Sequence, residues 1–221
     1  MGVWQSYRLR LQRKRWRIRA FRKRRQLKSV QDRTKQIKKG DILVFSTLRN
    51  EDIRLPYFLK YYREMGVNHF IMVDNDSDDG GGAYLADQPD VSLWTTKGSY
   101  KRARFGVDWL NWLQMKYAHG HWCLVVDLDE FLVYPFCDTR PLRALTDWLD
   151  ASSIKSFGAM LLDIIPRVAL MMCLTSAIRA RWTLPCGSMR ATIRSTRTTN
   201  SETCGFKAGR VRASSSRTNR G

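Results

Sequence analysis

Short, uniformly apolar runs alternate with segments of helical period through the middle of the chain. Ile42-Leu43-Val44-Phe45-Ser46 shows no polar alternation, which predicts a strand buried on both faces, and the polar turn Thr47-Leu48-Arg49-Asn50-Glu51 follows it. Leu55 to Met65 predicts a helix. Pro56 suits its first turn, Tyr57, Phe58, Tyr61 and Tyr62 recur at i, i+3 and i+4, and Gly66 supplies a left-handed residue at the end. Val67 to Val73 predicts a second buried strand, which runs into Asp74-Asn75-Asp76-Ser77-Asp78-Asp79. Strand, helix, strand is a βαβ unit, for which parallel pairing and a right-handed crossover are the defaults.

The alternation continues with a short helix over Ala83–Asp87, a strand over Val91–Trp94 and a helix over Phe105–Tyr117 that carries Val107, Leu110, Leu113 and Met115. Trp122-Cys123-Leu124-Val125-Val126 then reads as a buried strand leading directly into Asp127-Leu128-Asp129-Glu130. Arg140–Leu149 predicts a helix and Phe157–Ile165 a last strand. The implied architecture is α/β with a mainly parallel sheet. Ligands of such sheets bind beyond the carboxyl ends of the strands, where both acidic clusters fall.

Charge divides the chain in three. Its 39 Lys and Arg against 20 Asp and Glu give +19 overall, distributed as +15 over residues 1–40, −6 over residues 41–166 and +10 over residues 167–221. These spans are read as a basic arm, a core and an Arg/Ser/Thr-rich tail. In the arm Trp4, Tyr7, Leu11, Ile18 and Phe21 sit at helical spacing among Arg and Lys, the pattern of an amphipathic helix on a headgroup layer. Tyr7, Leu9, Leu11, Trp16 and Ile18 also alternate as a strand does. Three readings therefore stand for the arm: a solvated extension or docking element, an anionic membrane surface ligand, and a nucleic-acid ligand, the last the least favoured. No apolar run reaches the roughly 20 residues of a spanning helix, and no apolar signal segment follows the first basic residues. The expectation is a cytoplasmic chain, peripheral at the inner face of a membrane if the arm binds lipid. Five cysteines without a CxxC pair argue against a disulfide framework and a zinc knuckle, leaving reduced thiols.

The chemistry-bearing residues lie at two strand ends. In an extended segment residues i and i+2 project to one side, so Asp127 and Asp129 present two carboxylates together while Leu128 turns to the core. Mg²⁺ and Mn²⁺ take oxygen ligands, and Mg²⁺ commonly keeps one or two carboxylates while phosphates and waters fill the shell. A strand end left in solvent accounts equally for a bare Asp-x-Asp. The cluster from Asp74 to Asp79 lacks the calcium-loop spacing, because the twelfth position is Leu85. It reads either as a turn rich in Asx motifs or as a strand end that accepts hydrogen bonds from ribose or base. Lys97, Lys101, Arg102 and Arg104 fit a solvated helix face better than a phosphate site, and His119 and His121 fit surface roles.

Taken in order, Ser46-Thr47-Leu48-Arg49-Asn50-Glu51, Leu55-Pro56-Tyr57-Phe58-Leu59-Lys60-Tyr61-Tyr62, Gly66-Val67-Asn68-His69-Phe70, Val73-Asp74-Asn75-Asp76-Ser77-Asp78-Asp79-Gly80 and Val126-Asp127-Leu128-Asp129-Glu130-Phe131 resemble the family 2 glycosyltransferases of the GT-A fold over roughly residues 41–166. The resemblance implies transfer of a sugar from a nucleoside-diphosphate sugar to an acceptor hydroxyl on a glycan, lipid or protein, with Mn²⁺ or Mg²⁺ at the Asp-x-Asp pair. It implies Asp129 as the main metal ligand, Asp127 toward the ribose or a metal-bound water, and Asp74, Asp76, Arg49 and Glu51 about the nucleoside.

The resemblance fades near Pro166. Residues 167–221 hold one acidic residue, Glu202, with 15 Ser or Thr and 10 Arg, and show no sustained period. We read this tail as a shifted reading frame, a reading that fails if neither other frame of the gene continues the apolar and acidic pattern. The family's acceptor-side base would fall there, so no catalytic base is assigned and the chain is expected to bind donor without a complete acceptor half. A different class stays open: a non-catalytic module that binds membrane or nucleic acid through its basic ends.

Overall fold

The computed structural model describes residues 3–161 and the strand Ile193–Ser195. Seven strands form one sheet: β1 (Lys28–Gln31), β2 (Ile42–Leu48), β3 (His69–Asp74), β4 (Val91–Thr95), β5 (Trp122–Val125), β6 (Ser156–Phe157) and β7 (Ile193–Ser195), in the spatial order β1-β4-β3-β2-β5-β7-β6. The four central strands β4, β3, β2 and β5 are parallel, and β1 and β7 pair antiparallel at the two sides.

The lack of alternation in the central strands has a direct structural cause. Ile42 and Val44 of β2 belong to one apolar cluster with α2 (Leu55–Glu64), α3 (Gly81–Asp87) and α5 (Leu142–Ala151), whereas Leu43 and Phe45 belong to a second cluster with α4 (Val107–Tyr117). Both faces of the sheet are thus covered, as parallel strands require. The chain steps outward from β2 to β3 to β4, and α4 then carries it back to β5 on the far side of β2. Strand order reverses between β2 and β5. That point opens the crevice of a doubly wound sheet at its carboxyl edge.

The N-terminal segment belongs to this structure. Its helix α1 (Val3–Lys23) lies along α4, with Phe21 edge-on to Trp112 at 5.6 Å and Arg24 over the Phe21 ring at 3.9 Å. Gln26 accepts a 3.1 Å hydrogen bond from Trp109 Nε1, and β1 follows as the edge strand beside β4. Arg33 fixes that edge by donating to the carbonyls of Val91 and Ala86, while its own N–H donates to Ser92 Oγ. Leu27 and Ile37 pack on the second cluster, so sheet and core both run across the charge boundary at Gly40–Asp41. Docking on the core describes residues 16–37 of the arm.

Other departures from the sequence reading are local. Helix α4 begins at Val107 and not at Phe105, because Arg104, Phe105 and Gly106 all have positive φ (52°, 57° and 79°). The last strand spans only Ser156–Phe157; residues 158–161 have no regular structure, and 162–165 lie outside the described residues. Of the span 167–221, Ile193–Ser195 forms β7 and the remainder lies outside the described residues. Cys123 is free and buried, but Cys137 is disulfide-bonded, which differs from the expectation of reduced thiols. Among the described residues no helix is long and apolar enough to cross a membrane.

Candidate functional site

The ladder of β5 against β2 closes with Val126 N–H donating to Phe45 C=O at 3.3 Å. The chain then turns. Glu130 N–H donates to Asp127 C=O at 3.0 Å, and Asp127 N–H donates to the Glu130 carboxylate at 3.2 Å, so Asp127–Glu130 is a tight turn and not the extended segment expected. The side chains nevertheless sort as the sequence implied: Asp127 and Asp129 are exposed, while Leu128 is buried in the core beside Val126. Partial desolvation by the surrounding protein, followed by the like charge of Asp129, raises the Asp127 pKa. Glu130 is raised first by desolvation, against the Asp127 backbone hydrogen bond, and further by both aspartates.

Two tyrosines of α2 hold the chain that leaves this turn. The fully buried Tyr62 hydroxyl donates to Glu130 C=O at 3.0 Å and accepts from Leu132 N–H at 3.2 Å, and Tyr61 donates to Leu132 C=O at 2.7 Å. In the sequence these tyrosines mark only a helix face. Tyr62→Phe leaves a buried N–H and a carbonyl short of a partner, so we expect a loss of about 2 kcal/mol, read as a Tm lower by about 6 °C.

On the other side stands Tyr100. Desolvation raises its pKa, a side-chain hydrogen bond with Thr47 near the end of β2 opposes that, and the charges of Asp127 and Asp129 add to it. Gly106 presses on the same threonine: a Cβ there would stand 2.7 Å from Thr47 Cγ2. Asn50, Asp76, Arg104 and Phe105 all adopt positive φ at this carboxyl edge. Such strained residues persist where surrounding structure over-determines them and gather at functional sites.

The loops after β2 and β3 form a second patch. Asn50 N–H donates to Ser77 Oγ, Asp78 N–H to Asn50 Oδ1 and Asp52 N–H to Asp79 Oδ2, all at 2.9 to 3.1 Å. Asp74, 7% exposed, spends one carboxylate oxygen on the Ser77 N–H and hydroxyl, so it orders the loop. Asp76 is exposed and faces Lys97 at 3.6 Å, an exposed surface pair. Glu51 is held by Arg54. Arg49 is exposed and makes no hydrogen bond or ion pair among the described residues. Arg104 is bound to Asp108, and His121 meets the Asp41 carbonyl at 3.1 Å, both structural links.

The structure therefore gathers the six sequence-selected residues at one edge in two patches. Arg49, Glu51, Asp74 and Asp76 lie beyond β2 and β3, and Asp127 and Asp129 lie beyond β5. Because β2 lies beside β5 and β3 one strand further, the patches stand one to two strand spacings apart, roughly 5–10 Å. An extended anion bridges such a span; a lone ion does not.

The chain matches no protein-family model and no curated protein. No group of three or more His, Cys, Asp or Glu able to hold a metal occurs among the described residues. Two exposed carboxylates on one turn still fit a hard divalent cation whose remaining ligands come from phosphate and water.

The raised Asp127 pKa gives a signed expectation. The folded state holds this proton more tightly than the unfolded chain, so the associated stability is complete below the ordinary value of 3.8 and is lost as pH rises through the raised value. Metal-free protein at neutral pH carries an unfavourable carboxylate. Asp127→Asn is expected to raise the Tm in a chelator at pH 7, with a smaller gain at pH 4.

Proposed function

We propose that this chain is a GT-A-type glycosyltransferase that takes its sugar from a nucleoside-diphosphate sugar and uses Mn²⁺ or Mg²⁺ at Asp127 and Asp129. One observation carries the reading: an exposed acidic pair on a pinned turn at the carboxyl end of β5, beside the point where strand order reverses against β2. A bound divalent ion would supply charge neutralisation for the diphosphate leaving group.

The residues divide the work by position. Asp129 presents an exposed carboxylate for metal ligation, and Asp127, with its raised pKa, serves the ribose or a metal-bound water. Asp74 shapes the nucleoside loop from within, while Asp76 and Glu51 offer acceptors there. Arg49 brings an uncommitted guanidinium to that patch, suited to a phosphate or a base carbonyl. Tyr100, hydrogen-bonded to Thr47, feels the charge of both aspartates of the turn. No described carboxylate is placed as the base for an acceptor hydroxyl, so donor binding is the property to test.

The test is thermal denaturation with UDP-, GDP- and dTDP-sugars, each with Mn²⁺ or with chelator. The reading expects at least one donor to raise the Tm in Mn²⁺ only. Equal or absent shifts in both conditions defeat it.

A further inference from the structure

The helix α1 has two opposite faces. At 3.6 residues per turn Arg13, Trp16, Ala20 and Lys23 share one side, and these are the least exposed residues of its second half, Ala20 being fully buried. Trp4, Tyr7, Leu11 and Ile18 fall on the opposite side, where they are 80%, 55%, 42% and 43% exposed. Nine Arg or Lys and no acidic residue occupy the helix, and Arg8, Lys14, Arg15 and Arg22 flank the outward stripe. The core cannot account for an outward apolar stripe, because the core is met by the other face.

The helix also runs parallel to α4. Arg104 stacks over Trp16 at 5.1 Å, Arg19 pairs with Asp108 at 2.6 Å and Phe21 meets Trp112, so residue numbers rise together along α1 and α4. The start of α4 lies at the carboxyl edge of the sheet, since it follows β4. Residues 3–15 therefore continue past that edge for about 20 Å of helix. This is the side that bears the acidic turn.

We propose that the Trp4-Tyr7-Leu11-Ile18 stripe of α1 seats on an anionic phospholipid surface. Apolar side chains enter the headgroup boundary, the flanking guanidinium and ammonium groups meet lipid phosphates, and the Trp and Tyr rings suit the interfacial zone. A nucleic-acid ligand would use the cations alone and gain little from Leu11 or Ile18. The inference is independent of the proposed transferase activity.

Flotation of the 221-residue chain with phosphatidylcholine vesicles, plain or containing about one third phosphatidylglycerol, tests it. Binding is expected to the anionic vesicles and not to the plain ones. Trp4→Ser/Leu11→Ser is expected to weaken it about thirtyfold while leaving circular dichroism and Tm unchanged, because both side chains are exposed. Failure to bind anionic vesicles, or equal binding by the double variant, overturns the proposal. So does displacement of the vesicles by duplex DNA or RNA with an affinity that the double substitution leaves unaltered.

Discussion

Asp129→Asn is expected to cut stabilisation by a nucleoside-diphosphate sugar in Mn²⁺ from about 8 °C to about 1 °C while leaving the metal-free fold intact. The side chain is exposed on the turn after β5, so its amide costs the core nothing. Its charge matters for a different reason. Glu130 turns its carboxylate back to the Asp127 N–H, so Asp127 and Asp129 are the proposed ligands; replacing one removes half of that ligand charge, and a loss of about 100-fold in affinity is expected, at the upper end of what even outer partners of a metal cause. A donor present at about 100 times its dissociation constant stabilises by about 2.7 kcal/mol, and at its dissociation constant by about 0.4 kcal/mol. For a chain of this size the first is a Tm rise of about 8 °C and the second about 1 °C. Thermal denaturation of wild type and variant side by side separates these outcomes.

The largest loss of stability is expected from Asp108→Ala. This carboxylate in the first turn of α4 is fully buried and pairs with Arg19 at 2.6 Å and Arg104 at 2.7 Å. Its removal leaves two guanidinium groups beside a dry helix start and forfeits a negative charge at the positive end of α4. Arg19 and Arg104 are partly exposed and recover some hydration, so the cost falls at the low end for a broken buried pair, about 3 kcal/mol. Arg19 is the clamp of α1 and Arg104 opens the left-handed run against Thr47, so the variant is expected to loosen both. A urea midpoint shift of that size, shared non-additively with Arg19→Ala, checks the account.

How far the sequence reveals this molecule depends on what holds each element. Strands β2, β3 and β5 are legible because burial on both faces leaves unbroken apolar runs such as Ile42–Phe45. Strand β1 is not. Lys28-Ser29-Val30-Gln31 is polar and largely exposed, and it is held by backbone pairing and by Arg33 from outside, neither of which leaves a hydrophobic period. Phe105 extends the apparent period of α4, yet it is exposed and left-handed, because the Gly106 backbone must press against Thr47. The acidic pair is legible for its position at a strand end, although a turn and not an extended strand turns both carboxylates outward. Tyr62 and Tyr100 are invisible as site residues, since their roles rest on contacts with Leu132, Glu130 and Thr47 from distant parts of the chain. The faces of α1 are half legible: the sequence marks Trp4, Tyr7, Leu11 and Ile18, and only the packing on α4 shows that they point outward.

The central claim is that Asp127 and Asp129 hold a divalent cation against a diphosphate. Electron paramagnetic resonance counts free Mn²⁺ directly as protein is titrated in the presence of a nucleoside diphosphate. The account predicts one Mn²⁺ withdrawn per wild-type chain, dependent on the nucleotide, and none above the nucleotide's own binding for Asp127→Asn/Asp129→Asn. A wild-type signal indistinguishable from that of the double variant contradicts it.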